Sequence, residues 1–546
     1  MKAITKIPIA ILVALAMSAC QEPEKVDTIV HNAKIYTLDE NNVIAEAIAI
    51  SDGKIVEVGA ENQILNKYLA ETKIDAQQGI IYPGFNDAHS HFLGYGLIQS
   101  QVNLKGTKSW KEVLQRISDY ISNDDNEWVL GRGWDQNDWD TKEYPTNHTL
   151  DSLFPDKRII LKRVDGHALI ASTNVLRDAG IKSTTGIDGG AIIKDSQDEL
   201  TGVLVDEAMN LVQVIIPEPT KGQTEYALQK AEQDCLSKGL TTVTDAGLSI
   251  DNINVINEMH QNDDLKIRVY AMYSADPDIF NSLDQYRIKT DRLSAYAIKV
   301  YADGALGSRG ARLIETYTDD SLNRGLIITG KDSIAAWAEK CMQDSFQLCV
   351  HCIGTEANRY TLQAMGSVLG GTNDRRWRIE HAQVVHPEDR SLFREYNILP
   401  SMQPTHATSD MYWAEDRLGP IRVDWAYSLK SLKDENGMIP LGTDFPVEDI
   451  SPLNTFYAAV TRKDHNDFPQ GGYLFSEALS REEALRGITI WPAIAAFQEK
   501  QKGSLVAGKV ADMVILNQDI LTCSEDNILS TQVLETWING ERIIIQ

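Results

Sequence analysis

The sequence has few basic residues and no basic block anywhere. Its 546 residues include 52 lysines and arginines against 78 aspartates and glutamates, which gives a formal net charge of −26. Phosphate groups would be repelled by such a chain, so the charge argues against nucleic-acid binding. No internal repeat or low-complexity tract is visible. The 43% hydrophobic and 24% charged residues are ordinary for a globular enzyme with a large core and a second domain.

Long hydrophobic runs are also missing. The apolar segment 7–17 is too short to span a bilayer comfortably. It ends in "MSAC" and is followed by the polar stretch "QEPEK", which resembles a bacterial lipoprotein signal with Cys20 as the lipidated residue. We expect residues 1–19 to be the signal peptide and residues 20–26 a tether. An ordinary cleaved signal with an incidental cysteine is the alternative.

The lipoprotein resemblance implies a location. The protein would be exported and held in the cell envelope, on the periplasmic side of a membrane, through an N-terminal lipid anchor. Gln21 rather than aspartate follows the cysteine, which favours the outer membrane in a Gram-negative cell.

The other five cysteines do not suggest a disulfide framework, because an odd number in an exported domain cannot pair completely. Cys349 and Cys352 have the C-x-x-C spacing of metal or redox sites. There is no second pair, and the segment has the apolar pattern of a buried strand. Buried thiols are therefore the favoured interpretation, with metal or redox chemistry as the alternative.

Both ends of the chain after the signal have the pattern of short β-strands. Asp52-Gly53 and Asn539-Gly540 each stand between two such strands, as in hairpins with type I′ turns. Because the two ends resemble each other and flank a large middle part, we expect residues 27–83 and 500–546 to form one small composite β-domain, a β-sandwich.

The middle part, residues 84–499, shows apolar β-branched runs separated by helical stretches, which predicts a parallel sheet. Eight βα units close a barrel whose active site lies at the carboxyl ends of the strands. The predicted fold is thus α/β, a (β/α)8 TIM-like barrel. The eight candidate strands end at His89, Asp245, Ala271, Asp303, His351, His381, Gln403 and Asp444.

The segment from about 96 to 238 separates the first and second candidate strands and is far longer than a normal βα connection. We expect it to be an inserted subdomain that leaves the barrel from the catalytic face. Its Trp134, Trp139 and His167 are candidates for a lid that faces the substrate. The alternative is that the tryptophans form the subdomain's own core.

Five residues of metal-binding type fall at the predicted strand ends: His89, His91, His351, His381 and Asp444. The first two are two residues apart, so their side chains project from the same face of a strand. Imidazoles and carboxylates are natural ligands for zinc or another divalent metal, which would lower the pKa of a bound water towards 7. Asp444 could take the water's proton and pass it to the leaving group.

Lys299 is a sixth candidate, inside the predicted fourth strand and four residues before Asp303. An ammonium group cannot bind a cation. A buried neutral amine, however, can add carbon dioxide to form an anionic carbamate whose oxygens bridge two metals. Alternatively, Lys299 pairs with Asp303 or binds the substrate.

The order H-x-H, His, His and a last-strand Asp resembles the amidohydrolase superfamily, and the details resemble its YtcJ-like branch, the amidohydrolase 3 group. The resemblance covers nearly everything from about residue 27 to the C-terminus. It departs at Cys352, where alanine is expected, and at Thr355-Glu356. The matching stretches include "PGFNDAHSHF", "WVLGRGWDQN", "RVDGHA", "IKVYADGALGSRGA", "HCIGTEAN", "RIEHAQVV", "SMQPTHATSDMYWAEDRLG", "GTDFPVEDISPL" and "KGSLVAGKVADMVIL".

The resemblance implies a metal-dependent hydrolase that cleaves a non-peptide C–N bond in a small amide, formamide or cyclic amide. It implies one or two metal ions and a carboxylated lysine at Lys299. Whether the protein forms a homo-oligomer stays open. Two other functions stay open, a mononuclear deaminase-like hydrolase and a surface lipoprotein that binds a ligand without catalysis. The residues expected to contact the substrate are Trp134, His167, Asp303, Arg309 and His406.

Overall fold

The computed structural model describes residues 23–543 apart from 123–125, 165–167 and 188–189. The predicted signal peptide, the lipidation candidate Cys20 and the lid candidate His167 lie outside the described residues. In chain order the strands are β1 (Glu24–His31), β2 (Lys34–Tyr36), β3 (Ile44–Ala45), β4 (Ala47–Ser51), β5 (Lys54–Gly59), β6 (Tyr68–Asp75), β7 (Ile80–Pro83), β8 (Phe85–Ser90), β9 (Val102–Asn103), β10 (Trp128–Trp134), β11 (Arg158–Arg163), β12 (Ala168–Ala171), β13 (Gly190–Lys194), β14 (Leu200–Asp206), β15 (Leu240–Leu248), β16 (Arg268–Ser274), β17 (Ile288–Lys289), β18 (Leu293–Tyr301), β19 (Gln347–Cys352), β20 (Arg378–His381), β21 (Leu399–Ser401), β22 (Met513–Leu516), β23 (Val533–Ile538) and β24 (Glu541–Ile543).

The helices alternate with these strands through most of the chain. The α-helices are α1 (Glu61–Lys67), α2 (Phe92–Gln99), α3 (Trp110–Ile121), α4 (His148–Leu153), α5 (Thr173–Asp178), α6 (Asn210–Gln213), α7 (Lys221–Ser237), α8 (Ile250–Gln261), α9 (Pro277–Phe280), α10 (Lys331–Asp344), α11 (Thr355–Leu369), α12 (Ser391–Glu395), α13 (Pro404–Asp410), α14 (Ala414–Arg422), α15 (Leu429–Asn436), α16 (Pro452–Thr461), α17 (Arg481–Gly487), α18 (Ile490–Ala495) and α19 (Glu525–Ile528). Short 3₁₀ helices lie at Gln136–Asp138, Glu207–Met209, Leu283–Tyr286, Pro387–Asp389, Val423–Trp425 and Phe475–Glu477.

The centre of the molecule is a parallel sheet that curls into a barrel. Its strand order is β21-β20-β19-β18-β16-β15-β8, and β17 adds a short antiparallel partner to β18. One large buried cluster joins the barrel strands to the surrounding helices, as Ile298 of β18 and Leu362 of α11 illustrate. The predicted TIM-like α/β fold is confirmed.

The eighth barrel position is filled by a segment, ending at Asp444, that is not a regular strand. Leu441 forms a parallel bridge with Met402 on one side. On the other side, the Asp444 N–H donates to the His89 carbonyl at 2.8 Å. Pro440 has no N–H, and Asp444 has a φ of 61°, so the ladder cannot continue. The predicted eighth strand is therefore corrected to a hydrogen-bonded closing segment.

Strands from both chain ends meet in one six-stranded sheet of order β24-β23-β22-β7-β2-β3. Strand β22 pairs antiparallel with β7, with Met513 opposite Pro83. A separate four-stranded sheet, of order β5-β4-β1-β6, comes from the N-terminal part alone. Ile48 of this sheet belongs to the same buried cluster as Ile81 of the six-stranded sheet.

The two predicted hairpin turns are confirmed by the backbone angles. Asp52 and Gly53 have φ values of 49° and 71°, and Asn539 and Gly540 have 50° and 73°. A type I′ turn needs a positive φ at both central residues, and Asp-Gly and Asn-Gly meet that need with little strain. The turns connect β4 to β5 and β23 to β24.

The long segment after the first barrel strand carries a third sheet, of order β13-β14-β12-β11-β10-β9. Val113 of α3 and Val129 of β10 share a buried cluster on one face of it. Helices α2 and α7 lie at the two ends of this segment and approach very closely. A Cβ atom at Gly96 would lie 2.0 Å from the Ala227 carbonyl, so only glycine fits there.

All five described cysteines are free, and Cys349 and Cys352 are buried, in agreement with the prediction of buried thiols. Within the described part of the chain, no helix combines the length and the apolar composition that crossing a membrane requires.

Candidate active site

His89 and His91 turn the same ring nitrogen towards Asp444. Nδ1 of His89 lies 2.6 Å from an oxygen of Glu380, and Nδ1 of His91 lies 3.1 Å from the carbonyl of Ala246. Because each Nδ1 donates to an oxygen, each Nε2 keeps its lone pair. The Nε2 atoms lie 3.6 Å and 3.2 Å from Oδ1 of Asp444.

A second pair of histidines approaches the same carboxylate. Nδ1 of His381 lies 2.8 Å from Oε1 of Gln403, and Nε2 of His406 lies 3.4 Å from Oδ2 of Asp444. Two sets of donor atoms therefore converge within 4.8 Å, His89 with His91 and Asp444, and His381 with His406 and Asp444. The sequence placed His406 among the substrate-binding residues, whereas the structure places it in a group that could hold a metal.

The backbone is strained where these side chains are presented. His381 and Asp444 have φ values of 74° and 61°, in the left-handed region that non-glycine residues rarely adopt. The closing segment also runs tightly against β8. A Cβ atom at Gly442 would lie 2.6 Å from the His89 nitrogen, so a larger residue would push Asp444 away from the histidines.

Asp87 connects the closing segment to β8, although the sequence pattern did not single out this residue. Its carboxylate accepts hydrogen bonds from the Thr443 hydroxyl at 2.6 Å and from the His89 N–H at 3.0 Å. Burial raises the pKa of Asp87 to about 7, while the hydrogen bond from Thr443 opposes that rise. Asp87 thereby ties the closing segment to the first barrel strand.

Glu380 fixes the orientation of His89. Both side chains are fully buried, and Arg378 lies 3.2 Å from the other oxygen of Glu380. Burial alone would raise the pKa of Glu380, but the positive charge of Arg378 and the contact with His89 lower it to about 2. Burial and the nearby Lys299 lower the pKa of His89 to about 4, so its imidazole is neutral, as a metal ligand must be.

Lys299 reaches the donor cluster from β18. Its Nζ lies 3.4 Å from Nε2 of His89, and the side chain is fully buried. Burial is the main cause that lowers the pKa of Lys299. Tyr301, two residues further along the same strand, covers the amine, with its ring centroid 4.9 Å from Nζ.

His351 and Asp303 lie beside the cluster rather than within it. The rings of His351 and His381 are 4.6 Å apart, and Nε2 of His351 lies 3.8 Å from Oδ1 of Asp303. Burial, followed by Lys299, lowers the pKa of His351 to about 3. A ligand role for His351 stays a prediction.

Asp303 is fully engaged with the main chain. It accepts N–H groups from Ile353 at 2.9 Å, Gly354 at 2.7 Å and Arg312 at 2.8 Å. These bonds occupy both carboxylate oxygens. Asp303 is therefore a brace between two loops, and a contact between Asp303 and the substrate stays a prediction.

Trp134 differs from expectation, and the substrate contact predicted for Arg309 stays a prediction. Trp134 is completely buried in the core of the third sheet and donates from Nε1 to the Leu161 carbonyl at 2.8 Å. The alternative, that the tryptophans form the subdomain's own core, describes Trp134 and Trp139 correctly. Arg309 pairs with Asp319 at 2.8 Å in a partly exposed loop, so its charge is already compensated.

The donor set fits a divalent metal. Oδ1 of Asp444 and Nε2 of His351 and His406 are buried without a hydrogen-bond partner among the described residues. Burial would raise the pKa of Asp444, but the adjoining His406 imidazole holds it well below its usual range, so the carboxylate is ionised. The Nε2 lone pairs of His89 and His91 and a carboxylate oxygen of Asp444 lie within 4.8 Å of one another, which is a donor set that suits a zinc-like ion.

Comparison with known proteins agrees with this geometry. The model of the amidohydrolase family, the amidohydrolase 3 group, matches residues 72–544. The chain is 31% identical over 524 residues to "Putative amidohydrolase YtcJ" of Bacillus subtilis (strain 168), covering 94% of this chain and 98% of that relative. It is 25% identical over 543 residues to the N-substituted formamide deformylase of Arthrobacter pascens, covering 94% of this chain and 97% of that enzyme.

A solved structure is similar along nearly the whole chain. It is an uncharacterized metal-dependent hydrolase from Pyrococcus furiosus, with a TM-score of 0.78 and 26% sequence identity, and the match covers 91% of this chain and 100% of that one. The chain belongs to the amidohydrolase family. It is a metal-dependent hydrolase that acts on carbon–nitrogen bonds.

The role of Glu380 can be tested through metal affinity. Glu380→Gln should weaken metal binding by about 10–100-fold, because an amide holds the His89 ring less firmly than a carboxylate does. The affinity is measured by competition with a chelator on folded protein. Glu388→Gln, a change at an exposed glutamate eight residues further along, is the control and should bind metal normally. Unchanged affinity in the Glu380 variant would contradict the role.

Proposed function

We propose that the protein hydrolyses a non-peptide C–N bond in a small amide, with N-substituted formamides, other N-acyl compounds and cyclic amides as the substrate class. One observation carries the proposal, namely that His89, His91, His381 and His406 all converge on the single carboxylate of Asp444. The similarity to an N-substituted formamide deformylase supports the formamide members of this class.

A metal held by these residues would polarise the scissile carbonyl and make water a better nucleophile. Asp444 is suited to the proton transfer, because its carboxylate is ionised and lies in the middle of the donor cluster. Its Oδ1 atom faces His89 and His91, and its Oδ2 atom faces His406. The carboxylate could therefore take a proton from the attacking water and deliver it to the leaving nitrogen. His91 is about one-third exposed and lies on the open side of the cluster.

The reaction is tested with a hydrolysis screen of N-formyl, N-acyl and cyclic amide compounds on the metal-loaded enzyme. Asp444→Asn should lower the rate on any accepted compound by about 10²–10⁴-fold, because an amide cannot accept the proton. Asp449→Asn, a change in an exposed loop five residues later, is the control and should keep wild-type activity. An Asp444 variant within a few-fold of wild type would show that the base is elsewhere.

No hydrolysis of any compound by the metal-loaded wild type would favour the second candidate, a surface lipoprotein that binds its ligand without catalysis. The ionised Asp444 carboxylate, whose Oδ1 has no hydrogen-bond partner among the described residues, argues against that candidate, because a binding protein has no need of a proton acceptor beside a metal site.

The proposal includes two metal ions bridged by a carboxylated Lys299. Its Nζ lies 3.4 Å from a nitrogen of His89 that would face a metal, where an ammonium would repel the ion. A carbamate formed from the amine and carbon dioxide would remove that repulsion and add two oxygen donors.

Lys299→Ala should lose activity and one metal equivalent, with partial rescue by a small carboxylic acid, because the acid can replace the bridge. Metal content is counted by emission spectroscopy on protein purified without chelator. Lys289→Ala, a change at an exposed lysine on β17, should change neither quantity. A wild type with one metal equivalent would instead favour a mononuclear deaminase-like hydrolase.

The proposal also covers the location and the domains. The protein is exported and anchored in the cell envelope through Cys20, with no other membrane contact. The segment 96–238 is an inserted subdomain, and the sheets of both chain ends form a small β-sandwich domain. Separate buried clusters in these parts support the division into domains. The proposed domain arrangement is compatible with a homo-oligomer.

The anchor is tested by growing cells with labelled fatty acid. The wild type should incorporate the label and fractionate with membranes, and Cys20→Ser should do neither, because its hydroxyl does not replace the thiol in lipidation. Cys523→Ser, at a partly buried cysteine far from the N-terminus, is the matched control. An unlabelled wild-type protein in the cytoplasmic fraction would contradict the anchor.

A further inference from the structure

A fully buried arginine, Arg462, lies next to the donor cluster without a counter-ion. It follows helix α16, its Nε donates to the Tyr473 carbonyl at 3.0 Å, and its Nη2 donates to the Tyr427 carbonyl at 3.3 Å. Its Nη1 has no partner within the described part of the chain. Burial lowers the pKa of Arg462 to about 10, so the group is still cationic at neutral pH.

The other large buried arginines are paired with acids. Arg268 contacts Asp512 at 2.6 Å, and Arg378 contacts Glu380 at 3.2 Å. No ion pair of the described residues includes Arg462, and a buried charge without a partner is costly. Glu477 acts on it electrostatically, but that carboxylate is bound to the Ser431 N–H at 2.8 Å. Among the described residues, no carboxylate therefore makes a direct contact with Arg462.

Arg462 lines a small internal cavity of about 10 Å³. A cavity of this size holds one particle of about the size of a water molecule. Its polar lining consists of Arg462, His381, Gln383, Gln403, His406 and Tyr427, and apolar side chains complete it. Among the described residues, no aspartate or glutamate lines it, and the guanidinium of Arg462 does.

We propose that this cavity is an anion site in which a halide ion, chloride in the cell, binds against Nη1 of Arg462. A cation is repelled by the guanidinium, and a multi-atom oxyanion such as sulfate is too large. The bound ion would give Arg462 the negative partner that its neighbours lack. Because His381 and His406 line both this cavity and the metal-donor cluster, the anion would sit directly behind the hydrolytic site.

The site is tested first on the wild-type protein. Crystals soaked in bromide, with data collected at the bromine absorption edge, should show an anomalous peak in hydrogen-bond contact with Nη1 of Arg462. In solution, replacing gluconate by chloride at constant ionic strength should raise the midpoint of thermal unfolding by roughly 1–3 °C, because an ion that binds only the folded state stabilises it. Water density without an anomalous peak would overturn the proposal.

A pair of variants connects the halide effect to this residue. Arg462→Met should remove the chloride-dependent shift. Arg359→Met, which removes a partly exposed arginine paired with Asp389 at 2.8 Å, should keep it. A chloride shift that survives in a folded Arg462 variant would also overturn the proposal. If that variant does not fold, the bromide experiment alone decides.

Discussion

The buried carboxylate of Asp444 is the group on which the site and the barrel both depend. A negative charge at this depth is stable only with several partners, and the structure supplies four histidines around it. These histidines come from the first strand, the loop after it, the sixth strand and the helix after the seventh. The same residue ends the segment that closes the barrel. The donor cluster therefore depends on closure of the barrel.

A second set of polar groups holds the first in place. Glu380, Gln403 and the Ala246 carbonyl each accept from one imidazole, and this leaves the opposite nitrogen free for a metal. Asp87 and Thr443 lock the closing segment to β8. The cost of burying so many polar groups is offset because nearly every one has a defined partner. Within the cluster, Oδ1 of Asp444 and Nε2 of His406 have no hydrogen-bond partner among the described residues.

The sequence predicted what local patterns determine. The i, i+2 spacing of His89 and His91, the Asp-Gly and Asn-Gly turns and the apolar parallel strands each depend on a few adjacent residues, and the structure contains them. The positions of His351 and His381 near the ends of the fifth and sixth barrel strands also followed from the barrel geometry, and Asp444 ends the closing segment.

The rest depends on contacts between distant segments. Trp134 is a core residue because α3 covers one face of the third sheet, and Asp303 is a brace because two loops turn their N–H groups towards it. The partners Glu380 and Asp87 stood beside predicted ligands in the sequence. Only the fold shows that the Glu380 side chain contacts His89 and that the Asp87 side chain contacts Thr443, the residue before Asp444.

The metal centre of the protein is built around Asp444 if the site works as a hydrolase. Diffraction data collected on either side of the zinc absorption edge, from crystals of zinc-loaded protein, test it most directly. We expect an anomalous peak at about 2.0–2.2 Å from His89, His91 and Asp444. Zinc peaks elsewhere in the molecule, with none at these residues, would contradict it.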